Sequence, residues 1–138
     1  LAIGTNGVAR QVITGAGQTV FTDSIGFGYG AGSGGTVVQP TSKSTSVTLN
    51  KPSGQIMMHN AALAAGASAS FDVYTSALDR GDGLIVTPLY GPPGWDHYTL
   101  RVLHFGTGTF RLVVTNTSGG SLSDALIFTF QIIKGSTT

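Results

Sequence analysis

The chain has no cysteine and no glutamate, and only 9% of its 138 residues are charged. Without thiols it can form neither a disulfide nor a thiolate metal site, and cysteine usage gives no clue to the redox compartment. Without glutamate, paired-carboxylate hydrolysis has only six aspartates to draw on. Long apolar runs are missing as well, and none approaches the ~18 residues of a membrane span. The seven Lys and Arg are spread from Arg10 to Lys134 with a net charge of +1, so there is no basic stripe of the kind that grips a phosphate backbone. The expectation is a chain that is not an enzyme, with no catalytic residue, no cofactor and no metal, and with neither nucleic acid nor membrane as partner. A start at Leu1 rather than Met is what a processed chain or a fragment would show.

What the chain has in quantity is glycine, 21 residues, together with β-branched and apolar side chains that bring hydrophobic content to 41%. At this length one domain buries roughly 68% of its unfolded surface, enough for a single core. Apolar positions recur with period 2. Tyr98, Leu100 and Val102 alternate with Thr99, Arg101 and Leu103; Phe110, Leu112 and Val114 alternate with Arg111, Val113 and Thr115; Leu126, Phe128, Phe130 and Ile132 alternate with Ile127, Thr129, Gln131 and Ile133. Side chains on a strand point alternately to its two faces, so these runs read as half-buried to fully buried strands. Weaker candidates are Val8–Ile13, Thr19–Thr22, Val37–Gln39, Ser46–Asn50, Gln55–His59, Ser68–Thr75 and Leu84–Leu89. Turn residues separate them. Lys51-Pro52-Ser53-Gly54 reads as a hairpin turn, and Gly106-Thr107-Gly108, Ser118–Ser121, Asp79–Gly83 and Gly91–Gly94 read as loops. Asn60–Gly66 has helical propensity but is too short to stand as a helix. The pattern predicts an all-β chain, a two-sheet antiparallel β-sandwich of jelly-roll-like or Ig-like type over residues 36–138.

Residues 1–35 carry fewer large apolar side chains, and six of the ten residues from Gly26 to Gly35 are glycine, with Phe27 and Tyr29 between them. This stretch reads as a Gly-rich extended N-terminal arm or linker. Such an arm could order by laying its aromatics on a neighbouring subunit.

Few motifs carry chemistry. Gly30–Gly35 fits G-x-G-x-x-G but is followed by β-type residues and Pro40 rather than a helix, so it is no dinucleotide site. Asp79, Asp82 and Asp96 suggest calcium, yet D-x-x-D-G supplies two carboxylates and no glutamate completes the shell. Arg80-Gly81-Asp82 spells an integrin-binding tripeptide and reads as coincidence; Asn116-Thr117-Ser118 matches a glycosylation sequon. His59, His97 and His104 show no spacing that marks a nucleophile's partner. The aromatics Trp95, Tyr90, Tyr98 and Tyr29, with Phe27, are the candidate partner contacts, and Trp95, Tyr90 and Tyr98 are the candidate glycan contacts.

Gly34–Gly66, GGTVVQPTSKSTSVTLNKPSGQIMMHNAALAAG, with Ser70-Phe71 after it and Gly119–Ser123 leading into Phe128–Gly135, resembles a recurrent β-rich domain of tailed-bacteriophage and prophage structural proteins. The resemblance runs over roughly residues 26–135. It implies a virion location and a non-enzymatic role as a capsid decoration (cement) or tail-fibre component that binds other virion proteins. It also fits a symmetric homo-oligomer, expected to be a trimer, that covers exposed strand edges. The alternative is a host-glycan receptor-binding module of a tail fibre.

Overall fold

A computed structural model describes residues 2–5, 8–17, 19–21, 28–89 and 95–135. Among these there are eleven strands, one 3-10 turn and no α-helix. The chain divides into two compact units, Leu1–Gly30 and Ala31–Thr138.

The first unit holds β1 (Ala2–Thr5), β2 (Val8–Ile13) and β3 (Thr19–Phe21) in an antiparallel meander of that order. The turn between β2 and β3 closes with the Gly17 N–H donating to the Thr14 carbonyl at 2.9 Å, and Gly17 sits at φ 79°, where a β-carbon would be strained. Sequence reading placed an extended arm or linker over 1–35. Residues 2–21 of that segment carry the three strands β1–β3, and the first compact unit runs to Gly30. β1 has no period-2 signal; it is short, and its register shifts between Ile3 and Gly4.

The second unit is a two-sheet β-sandwich. Its strands are β4 (Thr36–Val38), β5 (Val47–Thr48), β6 (Ser53–Met57), β7 (Ser68–Tyr74), β8 (Gly83–Pro88), β9 (Tyr98–His104), β10 (Thr109–Asn116) and β11 (Ile127–Ile133). One sheet runs β4-β6-β11-β8 and the other β5-β7-β10-β9. Pairing within both sheets is antiparallel except at one edge of each, where β4 lies parallel to β6 and β5 parallel to β7. From β4 to β7 the chain alternates between the sheets. A strand that returns to its own sheet after visiting the other has reversed twice, so it comes back parallel. For the same reason Lys51–Gly54 is not a hairpin turn but a crossover between layers.

The core lies between the sheets. Phe110, Leu112 and Val114 of β10 face Phe128, Phe130 and Ile132 of β11, with Phe71 and Val73 of β7 and Ile56 of β6 beside them, all buried. The rings of Phe110 and Phe130 meet across the layers at 5.5 Å between centroids, tilted 56°. Each buried phenyl contributes about 1.5–3 kcal/mol of transfer free energy. Gly54 lies opposite Phe130, and a β-carbon there would run into Leu49 and come within 2.8 Å of the Gly35 carbonyl. Glycine is needed at that point for β4 and β6 to close over Leu49. Asn60–Gly66 forms no helix; Leu63 makes a two-way backbone bridge to Leu122 at 2.8 and 3.0 Å.

Candidate functional site

Of the predicted contact aromatics, Tyr29, Tyr98 and the backbone of Trp95 fall within the described residues. Tyr90 and Phe27 lie outside the described residues. Trp95 begins the 3-10 turn Trp95–His97 that leads into β9. Tyr29 belongs to the N-terminal unit and is 43% exposed. Tyr98 opens β9 opposite Asn116 and is half-buried against the core. Its hydroxyl donates to Asp124 Oδ2 at 3.0 Å. Burial, and then that bond, push its phenol up to about 12. A ring held in this way packs partly against the core of the sandwich.

The ionisable groups are mostly committed to structure. The side chain of Asp82 is 2% exposed. It accepts bonds from the Asp79 N–H at 2.8 Å, the Gly135 N–H at 2.9 Å and Lys134 Nζ at 2.6 Å. Lys134 also reaches Asp79 Oδ2 at 2.9 Å and the Ala77 carbonyl. The Lys134 bond, helped by the two amides, brings the Asp82 carboxyl down to about 2, and Asp82 in turn raises Lys134. An ammonium thus occupies the position a cation would take between Asp79 and Asp82. Among the described residues no group of three potential ligands gathers around a metal position. The same burial removes the Asp82 carboxylate from any adhesion receptor, so Arg80-Gly81-Asp82 is not an exposed recognition tripeptide. Asn116 is fully buried. Its amide donates to the Leu63 and Gly120 carbonyls at 2.8 Å each, and its oxygen accepts from Ser118 N–H and Oγ, so the sequon asparagine is closed to a transferase.

At the β4 end a second buried knot ties loops to β6. Gln39 donates to the Lys43 and Thr45 carbonyls and accepts from the His59 N–H at 3.0 Å. Lys43 is buried and points its ammonium at the carbonyls of His59 and Asp124. Loss of water lowers its pKa, with the Asp124 charge opposing. This knot had no signal in the sequence, where Lys43 reads as one more loop cation.

What the fold leaves open is the outer face of each sheet. On β4-β6-β11-β8 the outward cross-strand rows are Val38–Met57–Ile127, Thr36–Gln55–Thr129–Thr87, Ser53–Gln131–Ile85 and Ile133–Gly83. None of these residues is ionisable. Val38, Ile85 and Ile133 are 54%, 47% and 42% exposed. A shallow cavity of about 320 Å³ opens on this sheet along Gly34–Thr36, Ser53–Gln55 and Thr129–Gln131, and its polar side chains are only hydroxyls and amides. The outer face of β5-β7-β10-β9 differs. There Arg111 makes a bidentate pair with Asp72, at 2.7 and 3.0 Å. The bond lowers Asp72 and raises Arg111. Arg101, Tyr74 and Phe105 share that face.

No protein-family model, curated protein or solved structure matches the chain.

Proposed function

We propose that the chain is a non-enzymatic structural protein of a bacteriophage virion, a capsid decoration or fibre component that works by protein–protein contact. The observation that carries this reading is the uncharged outer face of β4-β6-β11-β8, with three aliphatic side chains more than 40% exposed on it. Such a face can be buried against a neighbour without stranding a charge. The resemblance of residues 26–135 to phage structural domains supports the virion setting, and the commitment of Asp72, Asp79, Asp82 and Asp124 to bonds within the fold supports a role without catalysis.

Magnitude favours an oligomer. Four strands ~4.8 Å apart and about six residues long present a face of about 400 Å², half of the ~800 Å² that each partner gives to a stable interface. One copy therefore holds weakly through this face. A homotrimer multiplies the attachment, and the N-terminal unit can add area. The test uses particles of the phage or prophage that encodes the chain. Immunogold labelling should place the protein on the virion, and the Ile85→Lys/Ile133→Lys double variant should fold yet fail to incorporate. Unlabelled particles, or a double variant that incorporates normally, would refute the reading.

A further inference from the structure

We propose that the outer face of the β5-β7-β10-β9 sheet binds an acidic oligosaccharide, with sugar rings on Tyr74 and Phe105, hydroxyls on the Asp72–Arg111 pair and a carboxylate on Arg101. This site lies on the other sheet from the one invoked for virion contact, and it does not depend on that reading.

Register builds the site. Tyr74 of β7 stands opposite Thr109 of β10, and the Phe105 N–H donates to the Thr109 carbonyl. Tyr74, Thr109 and Phe105 thus form one row across three strands, with the two rings about 10 Å apart at their backbones, two strand spacings. Thr109 is the small residue between them, and Gly106 and Gly108 of the β9–β10 turn leave that end open. Tyr74 is 43% exposed and Phe105 57%, the highest value among the large apolar side chains described. Two exposed rings flanking a small hydroxyl residue form a shallow trough, with the apolar surface that the C–H face of a pyranose needs.

The next row supplies polarity. It runs Asp72–Arg111–Leu103. Arg111 donates through Nε and Nη2 to Asp72 and lies over Phe105 with its guanidinium carbon 5.1 Å from the ring centroid. Both groups are therefore held in place before any ligand arrives. Guanidinium has five N–H donors, and carboxylate oxygens have about four acceptor sites, so the pair retains donors at Nη1 and acceptor lone pairs at Asp72 side by side. A sugar hydroxyl, which both donates and accepts, satisfies such a mixed pair. Preorganisation of this kind lowers the entropic cost of binding.

Charge selects the ligand. Asp72 is neutralised by Arg111, whereas Arg101, one row further on opposite Val113, is exposed and has no carboxylate partner among the described residues. The face nets one positive charge, and it is complementary to an anionic sugar whose carboxylate the Arg101 fork can take in bidentate fashion. Arg101 and Phe105 are separated by about 13 Å along the strand, the reach of a short oligosaccharide.

The test is a glycan array probed with the full chain. It carries uronate-, sialate- and Kdo-bearing oligosaccharides beside neutral ones of matched length. At least one acidic oligosaccharide should bind tenfold or more tightly than its neutral counterpart. With that oligosaccharide, Tyr74→Ala and Phe105→Ala should each weaken binding tenfold or more, and Phe105→Trp should preserve it. Arg101→Gln should erase the preference for acid while leaving neutral binding unchanged. Unaltered circular dichroism and melting temperature show that each variant folds. Absence of any acidic binder, indifference to both aromatic substitutions, or amide chemical-shift changes mapping away from residues 70–74, 101–105 and 109–113 would overturn the proposal.

Discussion

The two sheets of the sandwich resemble each other on the inside and differ on the outside. Both inner faces are lined with Phe, Leu and Val, with Ile added on β4-β6-β11-β8, and both sheets end in a short parallel edge strand. Outside, β4-β6-β11-β8 presents aliphatic, thioether, hydroxyl and amide groups, while β5-β7-β10-β9 presents a guanidinium–carboxylate pair, a free arginine and two exposed rings. A sandwich needs only one face of each sheet for its stability. The other faces are free to diverge, so the information that separates this chain from any other sandwich lies in alternate residues of its strands.

That comparison can be broken most forcefully from within. Phe130→Ala should destabilise the sandwich by about 4 kcal/mol. Because Phe130 touches Phe110 across the layers, tyrosine fluorescence and far-UV circular dichroism should report one shared transition; two separate transitions would mean that the sheets do not depend on each other. Asn116→Ala strips two carbonyls and the Ser118 donors of their partner and should cost about 3 kcal/mol in urea unfolding. A Gly54→Ala substitution, felt only at the β4–β6 edge, should cost about 2 kcal/mol through overpacking; stability equal to the parent would show that Leu49 yields freely. Acid should act on the C-terminal clasp. The folded-state pKa of Asp82 is lowered to about 2, so its contribution is complete above the ordinary carboxylate range and is lost as pH falls from about 4 towards 2. Urea midpoints should decline over that window, and Asp82→Asn should flatten the decline. Smallest of all, Ile85→Lys and Arg101→Gln should each change stability by no more than ~0.5 kcal/mol while acting on opposite binding properties, particle incorporation for the first and acidic-sugar preference for the second.

Much of the fold was legible in the alternation. The runs at 98–103, 110–115 and 126–133 match β9, β10 and β11 within a residue or two, because long strands with one face on the core print their burial directly as period 2. β2 is bounded by the same residues that the sequence marks. The layer crossing at Lys51–Gly54 was not legible. A Pro-Ser-Gly turn looks the same whether the next strand joins the same sheet or the other one, and what decides it is Leu49 dropping beneath Gly54. The residues of the proposed contact sites were the least legible. Tyr98 reads as an exposed aromatic beside a polar loop, but its partner Asp124 is 26 residues away. Tyr74 and Phe105 end their runs inconspicuously, and only the register that sets both against Thr109 brings them together.

The strand order has a consequence for synthesis. β11 is the last in chain order of the described strands, yet it sits between β6 and β8, and β10 sits between β7 and β9. While the chain emerges from the ribosome, the hairpin and crossover segments before residue 109 have no central strand to pair with, and their apolar sides stay wet. One layer cannot close before Thr109–Asn116 has emerged, nor the other before Ile127–Ile133. A ribosome stalled short of Ile133 should therefore carry a sticky, protease-sensitive nascent chain rather than a partly finished sandwich.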